Sequence, residues 1–207
     1  AALSEGVARN AFVFSGNGSQ WSGMGREAFL VDPVFRAAFE TVSAAVQDAG
    51  GPDLTEALFA ADLDEKLKDA IYAQPLLLAL QVALVQALDA LGIRADCVVG
   101  HSVGEVAAAW AAGALSVEQA ATLSVRRAAC QAQLRGTGTM AAMLASAEQA
   151  DDLIERLGLE QTSIAADNSP RGVTVSGQVD AIERLIAEAR RSRIPMRRLQ
   201  IDYPFHS

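Results

Sequence analysis

Residues 98 to 105 read VVGHSVGE, and the interpretation of the whole chain starts from this stretch. Its two valines indicate a strand, and the alanine-rich run after it, VAAAWAAGAL, indicates a helix. Ser102 stands between Gly100 and Gly104, so the stretch matches the pattern G-x-S-x-G at a strand-to-helix turn. The pattern predicts a nucleophilic serine hydroxyl held out of the turn. The alternative is a structural turn that needs small residues.

A nucleophilic serine needs a base to accept its proton, and the chain has only two histidines. His101 adjoins Ser102, and neighbouring side chains on a sharp turn usually point apart. His206 follows a strand-like segment near the other end of the chain, where it could reach across a cleft, so it is the stronger of the two candidates; the alternative is a histidine that is only a satisfied polar group. The loop SGNGSQWSGMG, residues 15–25, offers the backbone N–H of Asn17 to an oxyanion; the alternatives are an ordinary turn or a phosphate cradle.

Composition excludes several classes of protein. The chain has 207 residues, is 51% hydrophobic and carries a formal charge of −8, which argues against nucleic acid as a partner. The apolar stretch that starts at Pro75 is interrupted by polar residues, so we predict a buried helix with Pro75 in its first turn and no membrane partner. No signal peptide or metal-binding pattern is visible, and a cytoplasmic location is expected. Cys97 and Cys130 are interpreted as small buried hydrophobic residues.

The order of patterns along the chain predicts an α/β fold with two parts. A strand at 11–16, one helix over about 25–49 and the elements around Ser102 form an α/β body, in which Ser116 and Gln119 can cap a helix that runs to about Leu134. From about Arg135 the patterns alternate as β-α-β-β-α-β, the arrangement of a ferredoxin-like lobe.

Arg126 and Arg127 lie side by side on a predicted helix, so only one can face inward and bind an anion. The alternative is two solvated surface arginines.

Several spaced motifs together resemble the acyltransferase domain of type I polyketide synthases and the malonyl-CoA:acyl carrier protein transacylases. The motifs are FVFSGNGSQWSGMG, AQP, GHSVGE, RRAA, NSPRGVTVSG and DYPFHS, and they extend over almost the whole chain. The resemblance implies an α/β-hydrolase-like body with an inserted ferredoxin-like (βαββαβ) small subdomain. It implies residues 1–134 as the large subdomain, 135–202 as the small subdomain and 203–207 as a return to the large one. Family members continue further, so the C-terminal part of the body is expected to be missing here.

The resemblance also implies a role for individual residues. Ser102 would be the acylated nucleophile and His206 its base, and the backbone N–H groups of Asn17 and Val103 would form the oxyanion hole. Asn17 stands where the family often has Gln, which need not matter because the donor is a main-chain group. Arg127 matches the arginine that pairs with the free carboxylate of the substrate. Two further residues fall where the family lines the pocket: Gln74 and Asn168.

The residues before His206 bear on the choice of acyl group. They read Tyr203-Pro204-Phe205, whereas malonyl-selective relatives commonly show His-Ala-Phe-His and methylmalonyl-selective ones Tyr-Ala-Ser-His. A bulky Phe205 should crowd a methyl branch, so we favour malonyl, with methylmalonyl or another substituted malonyl group as the alternative. Such pockets separate single methyl groups by only about 1–3 kcal/mol.

The resemblance finally implies substrates and partners. No cofactor is expected; malonyl-CoA would be the donor and the phosphopantetheine thiol of an acyl carrier protein the acceptor, beside the ketosynthase and other domains of a parent synthase. A basic run in the second half of the chain is a candidate carrier-docking surface, and its alternative is a solvated face. The run consists of Arg184, Arg190, Arg191, Arg193, Arg197 and Arg198. A serine thioesterase or hydrolase is the second functional interpretation, and a non-catalytic scaffold domain the third.

Overall fold

The computed structural model describes residues 10–199 and 201–206. Within them the chain divides between Ala132 and Gln133 into two compact units. The first unit contains β1 (Ala11–Phe14), α1 (Arg26–Val31), α2 (Pro33–Asp48), α3 (Leu54–Phe59), α4 (Leu63–Lys66), α5 (Ala70–Ala90), β2 (Cys97–Gly100), α6 (Gly104–Ala111) and α7 (Val117–Ala132). The second contains β3 (Thr139–Met143), α8 (Ala147–Arg156), β4 (Ser163–Ser169), β5 (Gly172–Gly177), α9 (Val179–Arg191) and β6 (Met196–Arg198).

The strands of the first unit are β1 and β2, which pair in parallel with Phe14 opposite Gly100. Because the pair is parallel, the carboxyl ends of both strands lie at the same edge. The loop that starts at Ser15 and the turn that contains Ser102 therefore begin side by side. The N–H of His101 donates to the carbonyl oxygen of Phe14 at 2.9 Å, which continues the pairing into the turn.

The predicted helix over 25–49 is two helices, because the chain is interrupted at Asp32. The carboxylate of Asp32 accepts hydrogen bonds from the N–H groups of Val34 and Phe35, and Pro33 occupies the first position of α2. An aspartate cap followed by proline is a strong helix start, which is why α1 ends and α2 begins here. The apolar faces of both helices nevertheless reach the same core, where the rings of Phe29 and Phe39 meet edge to face.

The long apolar helix α5 runs through the middle of the first unit. It begins at Ala70 after Asp69, whose carboxylate accepts from the N–H of Ile71, so the prediction that Pro75 lies in the first turn is wrong. Pro75 is fully inside the helix and lies buried. Among the described residues α5 is the only helix long and apolar enough to cross a membrane, but more than half of its most apolar window is buried within the fold. It is a core helix.

The second unit is a four-stranded sheet with two helices. The order of the strands is β4-β5-β3-β6, and each neighbouring pair is antiparallel. Helices α8 and α9 pack on the sheet and against each other, and α8 begins with the capping box of Ser146 and Gln149. The core between sheet and helices is closed by Met143, Leu153, Val175, Ile182 and Leu185.

The cysteines do not lie where the sequence predicted them. Both are free thiols, but Cys97 and Cys130 are exposed, so the expectation of small buried residues is wrong. Cys97 lies on β2 with Val99, which is 54% exposed, and the neighbouring Val13 of β1 is 73% exposed. One face of this strand pair is therefore uncovered among the described residues, although its sequence is apolar.

Candidate active site

Ser102 lies in the turn between β2 and α6 and has a left-handed backbone conformation. Its φ is 54°, one of three positive values among the described non-glycine residues. The turn is closed by two hydrogen bonds, from Gly104 N–H to the His101 oxygen and from Glu105 N–H to the Ser102 oxygen, both 3.0 Å. A left-handed residue with a Cβ costs about 1–2 kcal/mol, so this conformation is imposed by its surroundings. The side chain of Ser102 is half-buried.

The glycines on either side of Ser102 allow the turn to pack against its own helix and against β1. A Cβ added at Gly100 would lie 2.4 Å from the backbone nitrogen of Glu105, and one added at Gly104 would lie 2.3 Å from the Phe14 oxygen. Real Cβ atoms do not approach backbone atoms so closely. The prediction of a tight strand-to-helix turn with glycines on both sides is therefore confirmed, whereas the nucleophilic role of Ser102 stays a prediction.

The loop after β1 lies against this turn at Gly16. A Cβ added at Gly16 would lie 2.6 Å from the His101 oxygen, 3.1 Å from the His101 imidazole Nδ1 and 3.2 Å from the Cβ of Ser102. The next residue in that loop is Asn17, whose side-chain oxygen is buried and has no hydrogen-bond partner in the described part of the chain. The proposed oxyanion donors are thus on two segments that touch the Ser102 turn: Asn17 in the loop, and Val103 at the amino end of α6.

The amino end of α6 favours negative charge next to Ser102. Val103 is the residue before the first helical position; the N–H groups of Gly104 and Glu105 after it donate to carbonyl oxygens of the turn, so in the described part of the chain the N–H of Val103 is the donor that remains for an oxyanion. These N–H groups carry the positive end of the helix dipole. An oxyanion formed on an acyl group attached to Ser102 would be stabilised there.

Arg127 is the inward member of the arginine pair on α7. Arg126 is exposed, whereas the guanidinium of Arg127 is half-buried, and its Nη1 donates to Oε1 of Gln74 at 2.7 Å. Burial lowers the pKa of Arg127, and the negative charge of Glu105 on α6 acts in the opposite direction. Over residues 10–199 and 201–206, no carboxylate forms an ion pair with Arg127. A partly desolvated guanidinium in this state favours an anionic ligand.

Gln74 connects Arg127 to a residue that sequence reasoning did not identify. The Gln74 side chain is fully buried on α5, and its Nε2 donates to Oε1 of Gln131, which lies one helical turn after Arg127 on α7. The signal in the sequence is the i, i+4 spacing of Arg127 and Gln131, which places both on one face of a helix. That spacing alone does not reveal that a buried amide lies between them.

The second unit carries His206 at the end of the described chain. Its side chain is exposed and its φ is 59°, and the hydroxyl of Ser163 donates to its main-chain oxygen at 3.4 Å. Before it, the rings of Tyr203 and Phe205 stack in parallel with centroids 4.9 Å apart, and Tyr203 is buried. The stacking holds the Phe205 ring against Tyr203, and the predicted role of Phe205 in the choice of substrate stays a prediction.

Asn168 lies on β4 at an exposed position. Its Nδ2 donates to the hydroxyl of Thr174 on β5 at 3.0 Å, so its amide is already engaged within the sheet.

The domain boundaries predicted from the sequence stay a prediction. Among the described residues, Ile201 and Asp202 hydrogen-bond Thr139 and Gly136 of the second unit. The predicted return to the large subdomain at 203–207 includes Ser207, and the predicted large subdomain includes residues 1–9, both outside the described residues.

The predicted site residues are thus distributed over both units. Ser102, Val103, Asn17, Gln74 and Arg127 lie in the first unit, and His206 and its neighbours lie in the second. The pairing of Ser102 with His206 therefore stays a prediction. In the described part of the chain, no group of three or more His, Cys, Asp or Glu residues is arranged to hold a metal ion.

Comparison with known proteins adds a family and a set of relatives. The family described as "Acyl transferase domain" matches residues 11–207. Highly reducing polyketide synthase phiA (Fungal sp.) is 39% identical over 201 residues, which are 95% of this chain and 8% of the relative. The chain therefore spans only a small part of such synthases.

Solved structures give the same result for the fold. The acyltransferase domain from the second module of the salinomycin polyketide synthase superposes with a TM-score of 0.88 at 38% identity, covering 98% of this chain and 47% of that one. Malonyl CoA-acyl carrier protein transacylase from Burkholderia pseudomallei superposes with a TM-score of 0.82 at 32% identity, covering 96% of this chain and 66% of that one. The mixed α/β fold is that of polyketide synthase acyltransferase domains, and the chain spans about half the length of the salinomycin domain.

Proposed function

This chain belongs to the acyl transferase domain family, and on that premise we propose that it loads a malonyl unit from malonyl-CoA onto the phosphopantetheine thiol of an acyl carrier protein. The observation that carries the proposal is Arg127. A half-buried guanidinium without a carboxylate partner among the described residues suits an acyl group that has a carboxylate of its own. A serine hydrolase that acts on neutral esters does not need a half-buried guanidinium to bind its substrate.

We propose an α/β-hydrolase-like body for the first unit and a ferredoxin-like lobe for the second. The parallel pair β1–β2 with a serine at the following turn supports the first assignment. The strand order β4-β5-β3-β6, in a β-α-β-β-α-β succession, supports the second. The division of the described residues into two compact units after Ala132 supports treating the two parts separately.

The first half-reaction would acylate Ser102. His206 takes the proton of the Ser102 hydroxyl while the oxygen attacks the thioester carbon, and the oxyanion that forms accepts hydrogen bonds from the N–H groups of Asn17 and Val103. When the tetrahedral intermediate collapses, the C–S bond breaks and the coenzyme A sulfur leaves with the proton from His206. The product is a malonyl ester of Ser102.

The second half-reaction would transfer the malonyl group to the carrier. His206 takes the proton of the phosphopantetheine thiol, the thiolate attacks the ester carbon, and the Ser102 oxygen leaves with that proton. Throughout both steps Arg127 would bind the distal carboxylate. Because acetyl has no such carboxylate, Arg127 would select dicarboxylic acyl groups.

The stacked pair of Tyr203 and Phe205 supports malonyl over methylmalonyl as the transferred group. A fixed phenyl ring close to His206 would occupy the space that an α-methyl branch needs. Acylation by methylmalonyl-CoA at a higher rate than by malonyl-CoA would reverse this choice.

We infer an acidic carrier protein and the neighbouring domains of a parent synthase, including a ketosynthase, as partners. The basic run is distributed on α9 and after it, and three of its arginines make bonds within the second unit: Arg184 to the Leu157 oxygen, Arg191 to Glu188 and Arg198 to Glu183. The exposed arginines Arg190, Arg193 and Arg197 supply positive charge to attract an acidic partner. A cytoplasmic location without a resident cofactor fits this role.

Mass spectrometry of the protein after incubation with malonyl-CoA tests the proposal. The assay uses the longest natural polypeptide that contains this sequence. We expect a malonyl ester on Ser102, no labelling of the Ser102→Ala variant, and transfer of the label to a phosphopantetheinylated carrier faster than to water. Release to water in the presence of carrier would instead indicate a thioesterase, and the absence of any acyl-enzyme would indicate a scaffold domain.

A further inference from the structure

We propose that Gln131 is a positioning residue for the acyl carboxylate: it fixes the buried Gln74 amide, and Gln74 in turn fixes the Arg127 guanidinium. The inference rests on the proposed function and adds to it a residue that contacts neither substrate nor Ser102. It depends on two hydrogen bonds, Arg127 Nη1 to Gln74 Oε1 and Gln74 Nε2 to Gln131 Oε1.

The direction of these two hydrogen bonds follows from the chemistry of the groups. A guanidinium only donates, so the end of the Gln74 amide that faces Arg127 must be the oxygen. The amino end of Gln74 must then face Gln131, and a donor there requires an acceptor. The Oε1 atom of Gln131 supplies it, so the charge of Arg127 determines the orientation of both glutamines.

Burial makes this arrangement dependent on Gln131. The Gln74 side chain is 0% exposed, so water does not reach its amide while a side chain of similar size occupies position 131. In the described part of the chain, the Oε1 of Gln131 is the acceptor for Gln74 Nε2. A buried amide that loses its acceptor is destabilised where it stands and moves or rotates to find another. The oxygen that holds Arg127 would move with it.

The helices place the three side chains in contact for separate reasons. Gln74 is held within α5, whose surrounding residues are almost all buried. Arg127 and Gln131 are four residues apart on α7, which packs along α5, so both extend from the same face toward Gln74. Gln131 is half-buried and can be replaced without opening the core.

The Gln131→Met variant tests the proposal, because methionine has a similar length and no strong acceptor. We expect the KM for malonyl-CoA to rise about tenfold, as for the loss of a buried hydrogen-bond partner, while the rate of acetyl transfer from acetyl-CoA stays the same. Acetyl has no carboxylate for Arg127, so a residue with only a structural role would change both reactions equally. Gln131→Ala leaves room for a water acceptor, so we expect a smaller effect than for methionine.

Two controls separate the possible results. Gln47→Met, at an exposed position of α2, should change neither reaction. In an Arg127→Ala background, Gln131→Met should have no further effect on the ratio of malonyl to acetyl transfer, because Gln131 acts through Arg127.

The outcomes that overturn the inference differ from those that overturn the proposed function. If Arg127→Ala lowers the preference for malonyl but neither Gln131 variant does, Gln131 has no positioning role and the proposed function stands. An equal loss of malonyl and acetyl transfer in Gln131→Met also overturns the inference, since it indicates a structural effect. If Arg127→Ala itself leaves the preference unchanged, the proposed binding of the carboxylate is wrong.

Discussion

The Nη1 atom of Arg127 donates a 2.7 Å hydrogen bond to Oε1 of Gln74, a side chain that is fully buried in the first unit. This bond fixes one corner of a guanidinium that has five donors in a planar fork. Among the described residues no carboxylate forms an ion pair with Arg127. Its remaining N–H donors can therefore form a bidentate contact with the carboxylate of a ligand. Burial lowers the pKa of this group, and an anionic ligand would compensate for the loss of water.

Replacement of Arg127 by lysine should lower the preference for malonyl-CoA over acetyl-CoA. An ammonium group keeps the charge but cannot donate to Gln74 and bind a carboxylate through two parallel bonds at once. We expect a decrease of about tenfold or more in the ratio of the two kcat/KM values, measured by acylation with each thioester. Arg126→Lys, at the exposed neighbouring position, is the matched control and should leave the ratio unchanged. An unaltered ratio in Arg127→Lys would show that the planar geometry of the guanidinium does not contribute to the preference for malonyl-CoA.

Replacement of Ser102 should separate reactivity from stability. Ser102→Ala and Ser102→Gly both remove the hydroxyl, so neither variant should form an acyl-enzyme. The φ of 54° strains any residue that has a Cβ, so the glycine variant should be the more stable of the two by about 0.5–1 kcal/mol, after the greater chain entropy of unfolded glycine is subtracted. Denaturant unfolding of both variants measures the difference. Higher stability of the alanine variant would mean that the turn is not strained.

A methyl group at Gly104 should disrupt the turn. The Cβ of Gly104→Ala would lie 2.3 Å from the carbonyl oxygen of Phe14, so the amino end of α6 and β1 must separate. We expect a loss of about 1–3 kcal/mol in the free energy of unfolding, together with slower acylation of Ser102. Gly172→Ala is the comparison, because there the nearest atom is the flexible hydroxyl of Ser169 at 3.0 Å. Similar stability of the two variants would contradict the close approach.

Replacement of Phe205 should widen the choice of acyl group. Phe205→Ser removes the ring that stacks on Tyr203 and leaves space beside His206. We expect the ratio of kcat/KM for methylmalonyl-CoA to kcat/KM for malonyl-CoA to rise about tenfold. This is the scale on which apolar pockets discriminate between substrates that differ by one methyl group. Competition between the two thioesters, followed by mass spectrometry of the acyl-enzyme, measures the ratio. A shift toward malonyl would show that Phe205 does not restrict the α-carbon.

Most of the fold was predictable because local signals are strong in this chain. The capping pairs Ser116–Gln119 and Ser146–Gln149 mark helix starts, and the first of them was identified and is confirmed by reciprocal hydrogen bonds of 2.9 and 3.2 Å. The strand-to-helix context of Ser102 was also predicted, because a serine between two glycines after an apolar run is typical of a tight strand-to-helix turn.

The errors come from positions where the environment outweighs the local pattern. Proline usually marks the start of a helix, but Asp69 caps α5 five residues before the expected position and the buried packing of α5 accommodates Pro75 within it. Cys97 has an apolar sequence around it, yet lies on the uncovered face of β1 and β2. Gln131 was missed because a glutamine on an amphipathic helix is usually a surface residue. Only the position of the buried Gln74 on another helix gives it a partner.

The three glycines at positions 16, 100 and 104 leave no room for a side chain, and this limits how the sequence around the Ser102 turn can vary. Mutational libraries designed to test the proposed choice of acyl group should keep these positions invariant, since a replacement there damages the turn. Randomisation is better concentrated on the segment from Tyr203 to Phe205 and on the neighbours of Arg127. Substitutions in these two regions should change the range of accepted acyl groups and leave the backbone around Ser102 unchanged.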